Sequence, residues 1–219
     1  MRLKKWVKLL VGVLLLPVCI GAGLALLRVV RATGAAHTFW VAFLAGAACW
    51  LTIFLLLPRP MLAYVFGHEL THALWAWACG GQVKKFQASS KGGHVILTKS
   101  NFLIALAPYF FPVYAVLVTL LYLGGGLIWN WQAYRAIFHL FLGAAYAFHL
   151  TLTWHILRTE QTDITEQGLI FSAVVIWIGN LLVLLIGIPL FTAQVRLLDA
   201  LAWWLEGTAR VIHWLARIF

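Results

Sequence analysis

Six runs of about 20 apolar residues, set apart by charges, glycines and prolines, restrict this chain more than any other feature. They cover residues 9–27, 38–57, 61–79, 102–123, 136–157 and 168–191. At 1.5 Å per residue, a helix of about 20 residues crosses a hydrocarbon core about 30 Å thick. With 63% of residues hydrophobic, only 10% charged and a mean hydropathy of +0.94, an aqueous fold could not hide so much apolar surface. The expectation is an all-α polytopic, multi-pass integral membrane protein with about six transmembrane helices in one domain, residues 1–192.

The segments between the runs add detail. Pro58-Arg59-Pro60 makes a tight turn, and Gly124-Gly125-Gly126 is expected to end the fourth run. Residues 80–100 contain two strand-like stretches, Val83-Lys84-Lys85-Phe86-Gln87 and His94-Val95-Ile96-Leu97-Thr98, around Ser89-Ser90-Lys91-Gly92-Gly93, which reads as a β-hairpin with a glycine turn. Residues 158–167 are the most polar stretch between two runs and hold Glu160, Asp163 and Glu166. In residues 193–219, charged and apolar positions alternate at helical spacing. This predicts an amphipathic helix on the membrane surface.

The 16 Lys and Arg against 6 Asp and Glu give a net charge of +10. Most of these cations lie outside the apolar runs or at their ends, where they suit a bilayer with anionic head groups, and no nucleic-acid-binding motif accompanies them. Nucleic acid is therefore not an expected partner. Cys19, Cys49 and Cys79 form no C-x-x-C pair, so neither a disulfide framework nor a thiolate metal site is indicated. The basic start of the chain followed by residues 9–27 is too long for a signal peptide and reads as an uncleaved first helix.

His68-Glu69-Leu70-Thr71-His72 lies inside the third run. A spacing of four residues puts both imidazoles on one helical face, where they can share a metal ion, while Glu69 projects about 100° away within reach of a water on that metal. Zn2+ takes imidazole nitrogen and lowers the pKa of its water towards about 7, and a carboxylate can remove the proton and later give it to a leaving amine. Ionisable groups inside a bilayer span are costly, which favours a functional role.

The same segment resembles the site-2 protease family of intramembrane zinc metalloproteases. The resemblance rests on Phe66-Gly67-His68-Glu69-Leu70-Thr71-His72-Ala73-Leu74, then Gly80-Gly81, the hairpin-like stretch, and the proline-broken Ala107-Pro108-Tyr109-Phe110-Phe111-Pro112, and it extends over about 61–180. It implies a β-like loop that presents unfolded substrate, an active-site mouth facing the cytosol, and an aspartate from a later helix as third zinc ligand. The family's Asp-Gly motif for that ligand has no counterpart here. Asp163 is the best substitute, as the only Asp between the motif and the terminal helix, with Glu160, Glu166, His94, His149 and His155 as competitors.

The expected function is hydrolysis of peptide bonds in membrane-anchored proteins, with His68, His72 and Asp163 on Zn2+ and Glu69 as general base. The edge of the hairpin, at Val95 and Ile96, is expected to pair with an extended substrate. Asn180 reads chiefly as a residue tying helices together that can also touch substrate. His139, His149 and His155 read as interhelical hydrogen-bonding residues. Pro108 and Pro112 mark either an ordinary kink or a break that opens a water path or substrate groove. Two other functions stay open: a zinc-binding pseudoprotease that sequesters membrane proteins, and a haem- or quinone-binding protein.

Overall fold

The computed structural model describes residues 5–218. In chain order the elements are α1 (Lys5–Leu14), α2 (Leu16–Ala32), α3 (His37–Leu56), α4 (Met61–Ala78), β1 (Val83–Ser89), β2 (Gly92–Leu97), α5 (Phe102–Leu106), a 3-10 turn (Ala107–Tyr109), α6 (Val113–Ile128), a second 3-10 turn (Trp131–Tyr134), α7 (Arg135–Ile156), α8 (Thr162–Gln167), α9 (Leu169–Thr192) and α10 (Leu197–Leu215). The chain divides into two compact units, Thr38–Gln161 and the pair Met1–His37 with Thr162–Phe219.

Among the described residues, three helical stretches are long and apolar enough to cross a membrane: His37–Leu56, Trp131–Ile156 and Leu169–Thr192. Two bent pairs raise the number to five if each is one span: α1 with α2, bent by 40°, and Phe102–Tyr109 with α6, bent by 80°. The remaining run of the six expected from sequence is α4, 18 residues long, where His68, Glu69 and His72 offset the apolar residues around them. Pro17, at the start of α2, accompanies the first bend. The fourth run does not stop at its glycines. α6 continues to Ile128, and Gly125 instead admits the Trp131 ring, which a Cβ there would meet at 2.4 Å.

In the Thr38–Gln161 unit, α3 and α7 meet backbone to backbone. A Cβ on Gly46 would fall 1.8 Å from the Leu140 carbonyl oxygen, and one on Gly143 would fall 1.9 Å from that of Phe43. Small residues at such a crossing let helices gain dispersion contacts that lipid-facing leucines cannot supply. Further along the seam, Trp50 Nε1 donates to Thr151 Oγ1 at 2.8 Å and its ring lies 4.9 Å from Phe148. α3 buries only Phe39 and Gly46, leaving most of its apolar surface outward.

β1 and β2 form the expected antiparallel hairpin with a tighter turn than the sequence suggested, since Ser89 pairs with Gly92 and only Ser90 and Lys91 remain as the loop. The register slips between Val83 and Lys85, which twists the strand start locally. Both strands pack on α4.

In the other unit, α10 lies along α2. Trp204 Nε1 donates to the Val18 carbonyl at 3.0 Å, Arg28 pairs with Glu206 at 2.9 Å, and a Cβ on Gly207 would come within 2.9 Å of the Gly21 carbonyl oxygen. One face of the amphipathic helix is thus occupied by protein, while Leu198, Leu205, Ile212 and Trp214 stay exposed. Lys8 Nζ donates to Gln167 Oε1 at 2.6 Å, tying α1 to α8.

Gly143→Ala should destabilise the protein by about 1–3 kcal/mol through overpacking of the α3–α7 crossing. Gly124→Ala, where a Cβ meets nothing within 4 Å, should be neutral or slightly stabilising. Thermal unfolding in detergent measures both.

Candidate metal centre

α4 presents His68 and His72 one turn apart, with ring centroids 4.9 Å apart at 78°. Tyr109 meets the His68 ring edge-on at 5.3 Å. His72 is buried, and its Nδ1 is 2.8 Å from the Ile104 carbonyl oxygen. A carbonyl can only accept, so Nδ1 carries the proton and the Nε2 lone pair is left for a metal ion.

The Ile104 carbonyl is available for a reason written in the sequence. In a continuous helix it would accept from the N–H of the residue four positions on, which is Pro108 and has none. Asn101 secures the same residue from the other side, capping α5 through Oδ1, which accepts from Ile104 N at 2.9 Å. The proline break therefore supplies the acceptor that orients His72. Such a partner fixes both ring orientation and tautomer of a metal-binding imidazole.

Glu69 is buried on the side of α4 that faces the hairpin. A Cβ on Gly93 would lie 2.8 Å from Glu69 Cγ and 2.8 Å from Val65 Cγ1, so the absent side chain lets β2 lie directly over the carboxylate's stem. The sequence marks Gly93 only as part of a turn; in the structure it is a contact residue for the proposed base. Phe66 and Phe86 close this contact edge-to-face at 5.6 Å.

His68, His72 and Asp163 are a group that could hold a metal ion. Two imidazoles and one carboxylate suit zinc and leave one position open. Asp163 is the second residue of α8 and follows two residues after Gln161. Gln161 is itself held, with Nε2 donating to Thr159 Oγ1 at 2.8 Å and Oε1 facing the Tyr109 hydroxyl at 3.5 Å.

The other candidates lie elsewhere. Glu160, Glu166 and His94 are exposed, His155 is half-buried, and none joins the group. His149 lines a small cavity with His68. Val95 is half-buried opposite Phe86, and Ile96 is exposed opposite Lys85. Asn180 belongs to α9 and donates through Nδ2 to the Ile176 carbonyl of its own helix at 2.9 Å.

Asp163→Asn should weaken metal binding by about 100-fold or more, whereas Glu160→Gln and Glu166→Gln should leave it unchanged. Pro108→Ala restores an N–H that competes for the Ile104 carbonyl and should cost about 10-fold in metal affinity without unfolding the protein. Chelator competition on the purified variants reads all four. Compared with known proteins, the chain matches no family model, no curated protein and no solved structure.

Proposed function

We propose that this protein is a membrane-embedded zinc endopeptidase that cleaves membrane-anchored protein substrates. The observation that carries this reading is that His68 and His72, which with Asp163 could hold a metal ion, lie on the helix that also buries Glu69 beneath a β-hairpin. The motif's resemblance to the site-2 protease family supports the same conclusion. α3, α7, α9 and the two bent pairs serve as membrane spans, and the hairpin side faces the cytosol.

Zinc, when bound, supplies Lewis-acid polarisation of the scissile carbonyl and a more acidic water. Glu69 accepts a proton from the attacking water as its oxygen bonds to the carbonyl carbon. It then delivers that proton to the amide nitrogen as the C–N bond breaks, leaving a carboxyl and an amine terminus. Burial of Glu69 keeps competing water away from the proton it holds. Asp163, His68 and His72 would hold the metal ion.

An open groove of about 560 Å³ runs past Leu62, Phe66, Phe86, Ala88 and Tyr114. Its apolar wall and the adjoining strands suit an extended, apolar stretch of substrate, which gains main-chain hydrogen bonds by strand addition and seats alternate side chains in the groove. A carboxylate placed as a general base favours catalysis over sequestration, because a binding protein has no use for a proton acceptor at this position.

Glu69→Gln should keep a wild-type metal content and lose cleavage of a single-span fusion with an extended apolar juxtamembrane segment by about 100-fold or more. Metal analysis and turnover in detergent measure the two quantities, and near-normal turnover in the variant would exclude Glu69 as the base. Ile96→Pro, which disrupts the hairpin, should impair cleavage far more than metal affinity; equal losses of both would indicate general misfolding.

A further inference from the structure

His149 is 7% exposed on α7, and its Nε2 has no hydrogen-bond partner. It lines a cavity of about 20 Å³ together with His68, Thr71, Pro108 and Tyr114. A cavity above about 10–15 Å³ holds one water-sized group, so there is room beside His149 for a single oxygen. Two of the hydroxyls among the lining residues are committed: Thr71 Oγ1 donates to the Gly67 carbonyl at 2.7 Å and the Tyr114 hydroxyl donates to the Ala63 carbonyl. Both protons are directed at backbone carbonyls of α4, and what these two hydroxyls offer the cavity is acceptor capacity.

Burial without a partner argues against a role in tying helices together, since an interhelical hydrogen bond would engage this nitrogen. Buried polar groups that stay unpaired in the protein commonly meet a ligand or a reacting group. His149 shares its cavity with His68, a candidate metal ligand.

We propose that His149 is a further catalytic residue: in its Nε2–H tautomer it donates a hydrogen bond to the scissile carbonyl oxygen as that oxygen gains negative charge. This rests on the peptidase reading. The bonds made and broken are those already given, and His149 keeps its proton throughout. A fixed donor aimed at developing charge in a site that excludes water acts mainly on the rate of the chemical step.

The test compares zinc-loaded wild type, His149→Phe and His149→Gln in detergent on the same single-span fusion, with zinc affinity by chelator competition. It also measures calorimetric affinity for a peptide phosphonate that mimics the tetrahedral reacting carbon. His149→Phe should lower kcat about 100-fold and weaken phosphonate binding by a similar factor, with KM and zinc affinity within about twofold of wild type. His149→Gln, which keeps a donor, should recover about tenfold of that loss. Should the phenylalanine variant fail to fold, His149→Met removes the donor with less rigid bulk. Wild-type kcat in a folded donor-less variant overturns the inference, as does a loss of zinc affinity that matches the loss of kcat. A zinc-loaded wild type that neither cleaves the fusion nor binds the phosphonate overturns the peptidase reading and this inference with it.

Discussion

A buried imidazole among apolar helices is tolerated when its polar atoms have partners, and the partner of His72 exists because a proline has broken a helix. Pro108 has no N–H to give to Ile104, so that carbonyl accepts a hydrogen bond from the Nδ1–H of His72. A buried polar group left unpaired costs about 1–3 kcal/mol. The break and the histidine thus relieve each other: the released carbonyl gains a donor and the imidazole gains a fixed tautomer. The asparagine cap of α5 and the ring of Tyr109 against His68 lie on the same short stretch of chain and hold it beside α4.

The same economy of space governs Glu69. In the proposed reaction, Glu69 works as a base only if it is both near the metal and shielded. Here the shield is a hairpin whose closest backbone, at Gly93, has no side chain to push it off α4. The hairpin therefore has two uses in the proposed reaction, as a cover over the base and as an edge along which substrate can extend. Coupling the two makes an unfolded, strand-forming substrate the one best able to use the site.

Much of this was legible in the residues. Apolar runs of helical length, the hairpin and the pairing of His68 with His72 are periodic or local signals, and local signals survive folding. Asp163 was singled out because the resemblance calls for an aspartate and it is the only Asp between the motif and the terminal helix, with Glu160, Glu166, His94, His149 and His155 as competitors. Other features were not legible, since they depend on which distant backbone atoms come together. Nothing in the composition of 102–112 says that the carbonyl freed by Pro108 will meet His72. Gly93 looks like any turn glycine until α4 is placed under it. Gly125 looked like a helix stop and instead makes room for Trp131, and α10, amphipathic by sequence, spends one face on α2. The His149 nitrogen resembles helix glue until its surroundings show no partner for it.

The central claim is that His68, His72 and Asp163 hold one zinc ion with a position left open, and X-ray absorption at the zinc edge of the purified protein tests it most directly. The account predicts a four-coordinate shell of nitrogen and oxygen at about 2.0–2.1 Å, with the outer scattering of two imidazoles, one of which disappears in His72→Ala. Sulfur scatterers at about 2.3 Å, a six-oxygen shell unchanged by His72→Ala, or protein that retains no zinc would contradict it.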